Sequence, residues 1–319
     1  MVAPAGLPWS QPGWRARAQA WIEAEVARRG MAPAGAACEV KIRPWSAVLR
    51  QPTGAGDVYF KANLPALANE PELTRLLHRI CPEHVLDVLA DEPGEGWMLQ
   101  ADGGPTMRSR LDGTDDLDRW ERMLAVYAEV QVRAAGRAGE LLGTGAPDRR
   151  LPELRRLFEE LASSPEHADL RGLAGKVGEL AAELDSHGLP ATIDHSDLHA
   201  GNVLAPGERY VIFDWHEGAV THPFFSMLVA TRWLAHNHGV EPGSADDRRL
   251  RDAYLEPWAA YGSRADLRAA LDVALQVGPL TRALGWSRVL DGMPAAAAGE
   301  WAGHLSGWLN DLAAELGRP

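Results

Sequence analysis

His195, Asp197 and Asn202 stand as H-x-D-x-x-x-x-N within IDHSDLHAGNVL, residues 193–204, and Asp214 closes the segment YVIFDW twelve residues after Asn202. Two chemistries fit such a density of ligating and proton-carrying side chains. The first is a hydrolytic metal site. His195, Asp197 and His199 alternate, so on a strand they would share one face and could bind zinc or iron, with His216 and His222 completing the shell. The second is phosphoryl transfer, in which a protein mainly positions groups and neutralises charge. It needs a carboxylate at the attacking hydroxyl, oxygen ligands for magnesium, and a lysine for the nucleotide phosphates that a glutamate holds in place.

The rest of the chain favours the second. Lys61 lies near the end of the strand-like DVYFKAN, and Glu70 opens the helix-like segment after it. The five-residue step from Asp197 to Asn202 matches the catalytic loop of protein kinases, in which Asp is the base and Asn a metal ligand. A metal-dependent hydrolase would leave that spacing and the Lys61 strand as coincidence. HSDLHAGNVL together with VIFDW resembles the aminoglycoside phosphotransferase and choline kinase group, a branch of the protein-kinase-like fold. The likeness runs from the Lys61 strand to the helices after Asp214 and is strongest between Asp194 and Trp215.

That resemblance implies an α+β, two-lobed protein-kinase-like fold, with a small antiparallel-sheet N-lobe and a larger, mostly helical C-lobe. It implies an ATP- and magnesium-dependent phosphotransferase acting on a hydroxyl of a small molecule. An aminoglycoside or other amino sugar is the headline acceptor, and a sugar or amino alcohol fits equally. Asp197 would be the catalytic base, His195 would buttress the loop, and Asn202 and Asp214 would bind Mg2+. Lys61 would contact ATP phosphates with Glu70 as partner, Glu72 being the competing carboxylate. Gln100, Ala101 and Asp102 would form the hinge against which adenine sits.

Four departures qualify the match. Ser196 stands where the family often has glycine between His and Asp. His199 occupies the position of a protein-kinase lysine and would be a secondary site near the γ-phosphate. THPFFSML carries Ser226 where the family has a second Asp that supports the loop. This change alone favours a third possibility, a catalytically inactive kinase-like binding protein. No G-x-G-x-x-G precedes Lys61, and the turn near IRPWSA has no glycine. Glu217 lies just past Asp214, either facing the acceptor or simply on the surface. His216 and His222 read as loop residues.

The elements that must carry these groups follow from periodicity and breakers. A helix is expected from Ser10 and Pro12 to Gly30, with Trp14, Ala18, Trp21 and Ile22 on one face. WSAVLRQP and DVYFKAN flank TGAGD, whose glycines suit a hairpin turn. NEPELTRLLHRI reads as a helix capped by Asn69, and HVLDVLA and GWMLQAD as two further strands. DGGP, residues 102–105, breaks the pattern, so the chain divides there into 1–102 and 103–319. Beyond it a helix capped by Thr114 carries Trp120, Met123, Leu124, Tyr127 and Ala134 on one face. Helices follow over about 152–161 and 168–186, the second stopped by Gly188 and Pro190. NVLAPGERYVIFDW is a hairpin turning at PGER that returns Asp214 beside Asn202. Mostly helix follows from Pro223.

Composition sets the remaining bounds. A 319-residue chain of 34.6 kDa with 46% hydrophobic and 24% charged residues is ordinary globular protein. A net charge of −12 repels a phosphate backbone, which argues against nucleic acid, and is compatible with a cationic small molecule. Two cysteines, Cys38 and Cys81, support neither a disulfide framework nor a cysteine zinc site. The start MVAPAGLPWSQPGW lacks a secretion signal, and no stretch approaches a membrane span, so a cytoplasmic protein is expected with no membrane partner. The 12 Trp suit a Trp-rich core, or a ligand cleft.

Overall fold

The computed structural model describes residues 6–317. Helix α1 (Trp14–Arg28) starts at Gly13, whose φ of 75° suits glycine alone, rather than at Ser10. The Ser10 hydroxyl instead donates to the Leu7 carbonyl at 2.7 Å, closing a short 3-10 turn. Strands β1 (Cys38–Ile42), β2 (Ser46–Thr53), β3 (Gly56–Asn63), β4 (Ala90–Glu92) and β5 (Trp97–Ala101) form an antiparallel sheet ordered β1-β2-β3-β5-β4. Helix α2 (Glu70–Ile80) interrupts it between β3 and β4.

Alternation along the strands gives this sheet two different faces. Leu49, Val58, Phe60 and Ala62 are buried on the α1 side, where Trp14, Trp21, Phe60 and Trp97 meet edge to face. Lys61 pairs across to Val48 on β2 and Met98 on β5, and Tyr59 pairs to Gln100. All five line a cleft on the opposite face.

HVLDVLA does not form the expected strand, which is confined to Ala90–Glu92. Its first residues turn to another partner. Val85 makes a parallel bridge to Ile212, and the His84 carbonyl accepts from the Ile212 amide at 2.8 Å. Asn69 sits at the start of α2 as expected, but its side chain does not cap the helix, because Oδ1 accepts from Arg288 at 2.9 Å.

Helices α3 (Asp116–Ala134), α4 (Ala138–Gly143), α5 (Leu151–Leu161) and α6 (Ala174–Ser186) open the helical part. Thr114 does not cap α3. The carboxylate of Asp116 takes the Asp112 and Gly113 amides instead, at 3.1 Å each. The segment expected as helix from about 168 begins as 3-10 turns over Pro165–Leu173, and α4 has no counterpart in the expected elements. Two two-stranded ladders follow, β6 (Thr192–Asp194) with β9 (Ala219–Thr221), and β7 (Val203–Leu204) with β8 (Val211–Ile212). Helices α7 (Met227–His238), α8 (Ala245–Leu255), α9 (Arg264–Asp291), α10 (Ala295–Ala298) and α11 (Ala302–Leu316) complete the chain. No helix among the described residues is long and apolar enough to cross a membrane.

The buried apolar side chains form two clusters that cross the sequence order. Leu73, Leu76 and Leu77 of α2 pack with the helical part around Trp120, Tyr127 and Trp258. Val289 of α9, Met293 and Ala297 pack with the sheet around Phe60 and Trp97. The twelve tryptophans therefore serve mostly as core, though Trp45 also lines the cleft.

Candidate active site

Lys61, Glu70 and Asp214 meet where β3, the start of α2 and the residue after β8 converge. The Lys61 ammonium lies 2.7 Å from Glu70 Oε2 and is in direct contact with Asp214 Oδ1. Asn63 donates to Glu70 Oε2 at 2.6 Å. Glu70 is fully buried and Glu72 exposed, so Glu70 is the partner, because the first turn of α2 aims one of them inward and the other out. Burial alone would lower the Lys61 pKa, but the charges of Asp214 and Glu70 outweigh it and hold the ammonium above its ordinary value. Asp214 moves the opposite way. Burial favours its protonation, yet the charges of Lys61 and His216 hold it well below the usual carboxylate range.

Asp214 also has a left-handed backbone, φ 69°, uncommon for a non-glycine residue and typical of functional sites. That conformation turns the chain out of β8 and puts His216 back against Asp214, with Nδ1 2.7 Å from Oδ1. His216 therefore belongs to the site and is not a plain loop residue. Its imidazole is raised above its usual pKa, the Asp214 charge outweighing burial and the repulsion of Lys61.

The loop after β6 carries the second set. His195 Nδ1 accepts the Asp197 amide at 3.3 Å, so the ring proton sits on Nε2, which donates to the Phe213 carbonyl at 2.9 Å. Both nitrogens face backbone, and burial lowers the His195 pKa, so His195 is a neutral brace tying the loop to β8. Asn202 donates to the Asp197 carbonyl at 2.9 Å and to its Oδ2 at 3.2 Å. His199 accepts the Gly201 amide at Nδ1 and places Nε2 3.4 Å from Asp197 Oδ2. Burial would raise the Asp197 carboxyl, but His199 and the Arg282 charge outweigh it and hold it well below its ordinary range.

The loop's support answers the Ser226 departure. Asp194, the last residue of β6, accepts from the Ser196 amide at 2.9 Å, from the Ser196 hydroxyl at 3.0 Å and from the Ser226 hydroxyl. Ser226 also meets Tyr127 Oη at 2.6 Å, and Tyr127 accepts the His195 amide at 3.0 Å. The bracing carboxylate thus comes from the end of β6, just before the loop, and Ser226 serves as its donor. Ser196 takes φ 64°, a backbone that glycine adopts without strain.

The metal-hydrolase ligand set does not form. Strand β6 ends at Asp194, so His195, Asp197 and His199 do not alternate along a strand, and backbone occupies both His195 nitrogens. His222 Nδ1 accepts the Phe224 amide at 3.3 Å, away from this cluster.

Arg282 of α9 is the site residue that sequence reasoning missed. It donates to the Ser196 carbonyl at 2.6 Å and Glu217 Oε2 at 2.7 Å, and its Nη2 lies 3.5 Å from Asp197 Oδ1. Nothing in its local sequence marks it, since 85 residues separate it from Asp197. Glu217 is accordingly an ion-pair partner and not a surface glutamate.

The cleft holds about 410 Å³, within the range of small-molecule sites. Lys61, Asp214 and Asn202 line it together with Gln100, Ala101 and Asp102. Gln100 Nε2 is buried there without a hydrogen-bond partner among the described residues, a donor left for a ligand. The Asp102 amide is already given to the Asp57 carbonyl at 3.2 Å. A Cβ at Gly103 would press on the side-chain ends of Leu204 and Leu86, which would have to shift. Asn202 Oδ1 and Asp214 Oδ2 make no hydrogen bond among the described residues. Two oxygen donors on one cleft wall suit magnesium. Glu70, Asp214 and His216 also bring ligand atoms within 4.8 Å of one another, but the Lys61 ammonium already supplies the cation there.

No protein-family model matches the chain, and no curated protein matches its sequence. Solved structures do match it in shape. A macrolide 2′-phosphotransferase from Brachybacterium faecium aligns at 18% identity and a TM-score of 0.56, over 94% of this chain and 98% of its own. A choline/ethanolamine kinase family protein from Mesorhizobium loti aligns at 18% identity and 0.57, over 90% of each chain. A thermostable mutant of an aminoglycoside phosphotransferase, in ternary complex with ADP and hygromycin B, aligns at 12% and 0.51 over 93% and 97%. The chain has the two-lobed α+β fold of these proteins, as the sequence motifs imply.

Proposed function

We propose that this protein is a magnesium-dependent kinase of small molecules, moving the γ-phosphoryl group of ATP to an acceptor hydroxyl. One observation carries the proposal most. Lys61, Asp214 and Asn202 line a single cleft, and the Asn202 side chain is bonded to Asp197. We take residues 1–102 as the nucleotide lobe and 103–319 as the catalytic and acceptor lobe.

In this proposal the adenine lies against Gln100, Ala101 and Asp102, with the free Gln100 amide as one donor. Lys61, fixed by Glu70, reaches the phosphates. Asn202 and Asp214 hold magnesium, which when bound offsets phosphate charge. Asp197 accepts a hydrogen bond from the acceptor hydroxyl and directs a lone pair of the hydroxyl oxygen toward the γ-phosphorus. The new bond joins that oxygen to the γ-phosphorus as the bond to the β,γ-bridging oxygen breaks. ADP leaves with the electron pair, and the hydroxyl proton passes to Asp197. A carboxylate held well below its ordinary pKa is a weak base, so Asp197 acts chiefly by orientation and takes the proton late, as a loose transition state allows. His199 and Arg282 keep it ionised and aimed, and His195 braces the loop.

The test is a thermal-shift titration with ATP, with and without magnesium, on wild type and Asp214→Ala. Ligand at about 100 times its Kd should add about 2.7 kcal/mol, worth several degrees of Tm. A shift that needs both magnesium and Asp214 supports the nucleotide site. The same shift in Asp214→Ala would remove its metal role, and none with any nucleotide would sink the kinase.

A further inference from the structure

Three guanidinium groups, from Arg282 and Arg288 of α9 and from Arg149 just before α5, gather around Glu217, and Arg282 also reaches Asp197. Arg149 and Arg282 are 3% and 6% exposed, and Arg288 is half-buried. Arg282 and Arg288 flank Gly285 on α9, where a Cβ would stand 3.2 Å from Glu217 Oε2 and 3.8 Å from Arg149 Nη1. Glycine at 285 thus lets the Glu217 carboxylate sit close against α9.

The direct ion pairs here fall on one of the three guanidiniums. The near carboxylates, Glu217 and Asp197, both face Arg282. Arg149 and Arg288 have no carboxylate within salt-bridge distance among the described residues. Arg149 reaches only the Thr281 carbonyl, at 3.2 Å, and Arg288 the Asn69 side chain, at 2.9 Å. Asp194 accepts its hydrogen bonds from Ser196 and Ser226 and, like Glu217, acts on Arg149 only through its charge, without a salt bridge. Arg282 Nε, Arg288 Nη1 and Asn69 Nδ2 are buried with no hydrogen-bond partner. Burying cations and N–H donors without acceptors is costly. The strain registers on Arg149, whose pKa is pushed down to about 10 by burial and by the neighbouring charge of Arg288. An anion between these groups would satisfy both deficits, and guanidinium is suited to hold carboxylate or phosphate through two hydrogen bonds.

Resting on the kinase proposal above, we propose that the acceptor carries an anionic group, a carboxylate or a phosphate, which Arg149, Arg288 and Arg282 hold so that its hydroxyl reaches Asp197. A net charge of −12 is compatible with a cationic acceptor but does not decide the charge of this site. The field at the reacting hydroxyl is set by the groups within a few ångströms, because salt screens the rest beyond about 10 Å.

The experiment separates this proposal from the nucleotide reading. Magnesium and a non-hydrolysable ATP analogue are added to saturation, and their own Tm rise is recorded. Sodium phosphate and sodium acetate are then titrated against sodium chloride at equal ionic strength, on wild type, Arg288→Gln and Arg149→Gln. Wild type should rise with one of the two anions by on the order of 2–4 °C, which also decides between phosphate and carboxylate. Both variants should lose the rise while keeping that of the nucleotide. Should Arg149→Gln not fold, half-buried Arg288→Gln carries the test. No rise in wild type, or an undiminished rise in Arg288→Gln, overturns the proposal. An anion rise without a nucleotide rise refutes the kinase and with it the acceptor assignment. In turnover, ADP release should respond to hydroxycarboxylates or sugar phosphates, with KM raised at least tenfold in Arg288→Gln. Release driven by kanamycin and by no anionic acceptor would also overturn it.

Discussion

Asn202 donates its side-chain amide to both the carbonyl and the carboxylate of Asp197, at 2.9 and 3.2 Å. The five-residue step between them is thus closed into a ring that fixes one Asp197 oxygen and leaves Asn202 Oδ1 unbonded. Arg282 approaches the other Asp197 oxygen at 3.5 Å. Replacing Asp197 by Asn keeps the shape and removes the charge. Turnover should fall about 10²–10⁴-fold, the usual worth of a positioned acid–base group. Nucleotide affinity, read by thermal shift, should hold. A full rate in Asp197→Asn would remove this residue from the chemistry.

Glu70 and Glu72 give a paired comparison. Glu70 is wholly buried against Lys61 and Asn63, whereas Glu72, in the same first turn, is exposed. Removing one member of a buried ion pair costs about 3–5 kcal/mol. Asp214 still faces Lys61, so Glu70→Gln should cost somewhat less than that range. Glu72→Gln should stay within about 0.5 kcal/mol of wild type. Urea unfolding of the two variants measures this, and equal losses would mean that Glu70 does not anchor Lys61.

Ser196 combines a strained backbone with a useful hydroxyl. Ser196→Gly relieves the left-handed conformation but loses the 3.0 Å bond to Asp194. Ser196→Ala loses the bond and keeps the strain. Strain of this kind is worth about 1–3 kcal/mol, partly offset by the larger backbone entropy that glycine loses on folding. The alanine variant should therefore be less stable than the glycine variant by about 1 kcal/mol in chemical denaturation. The reverse order would show that φ 64° carries no strain here.

What was legible in the sequence follows from the range of the interactions. Asp197, Asn202 and Asp214 sit on one loop and hairpin, so spacing alone brought them together. Lys61 was readable because its strand, turn and following helix are local features. His216 was passed over because the turn that aims it depends on the positive φ of Asp214, which only glycine would have announced. Arg282, Arg149 and Arg288 were invisible because α9 reaches the loop only through tertiary packing. HVLDVLA has a strand's composition but bonds to β8 from 84 and 85, a competition that no local propensity reports. Thr114 does not cap α3 because the helix starts after Asp115, while the Asp116 carboxylate binds the Asp112 and Gly113 amides of the preceding loop.

His222 makes the fold sensitive to acid apart from the catalytic groups. It is 2% exposed, accepts the Phe224 amide at Nδ1 and packs on Phe224 and Phe225. Burial, with the neighbouring His187 charge, pushes its pKa down to about 3 from 6.5. Between those values the unfolded chain binds a proton at this position and the folded chain does not. Stability from this residue is therefore full above pH 6.5 and declines as pH falls toward 3. The slope is about 1.4 kcal/mol per pH unit, so about 2 kcal/mol should be gone by pH 5. His195 acts in the same direction, and His216, whose pKa is raised, acts against it. His222→Asn retains an acceptor for the Phe224 amide and does not titrate, so it isolates the effect. Urea unfolding at pH 7 and pH 5 should show wild type losing about 2 kcal/mol more than His222→Asn. Parallel losses would mean that His222 takes up its proton in the folded chain as readily as in the unfolded one.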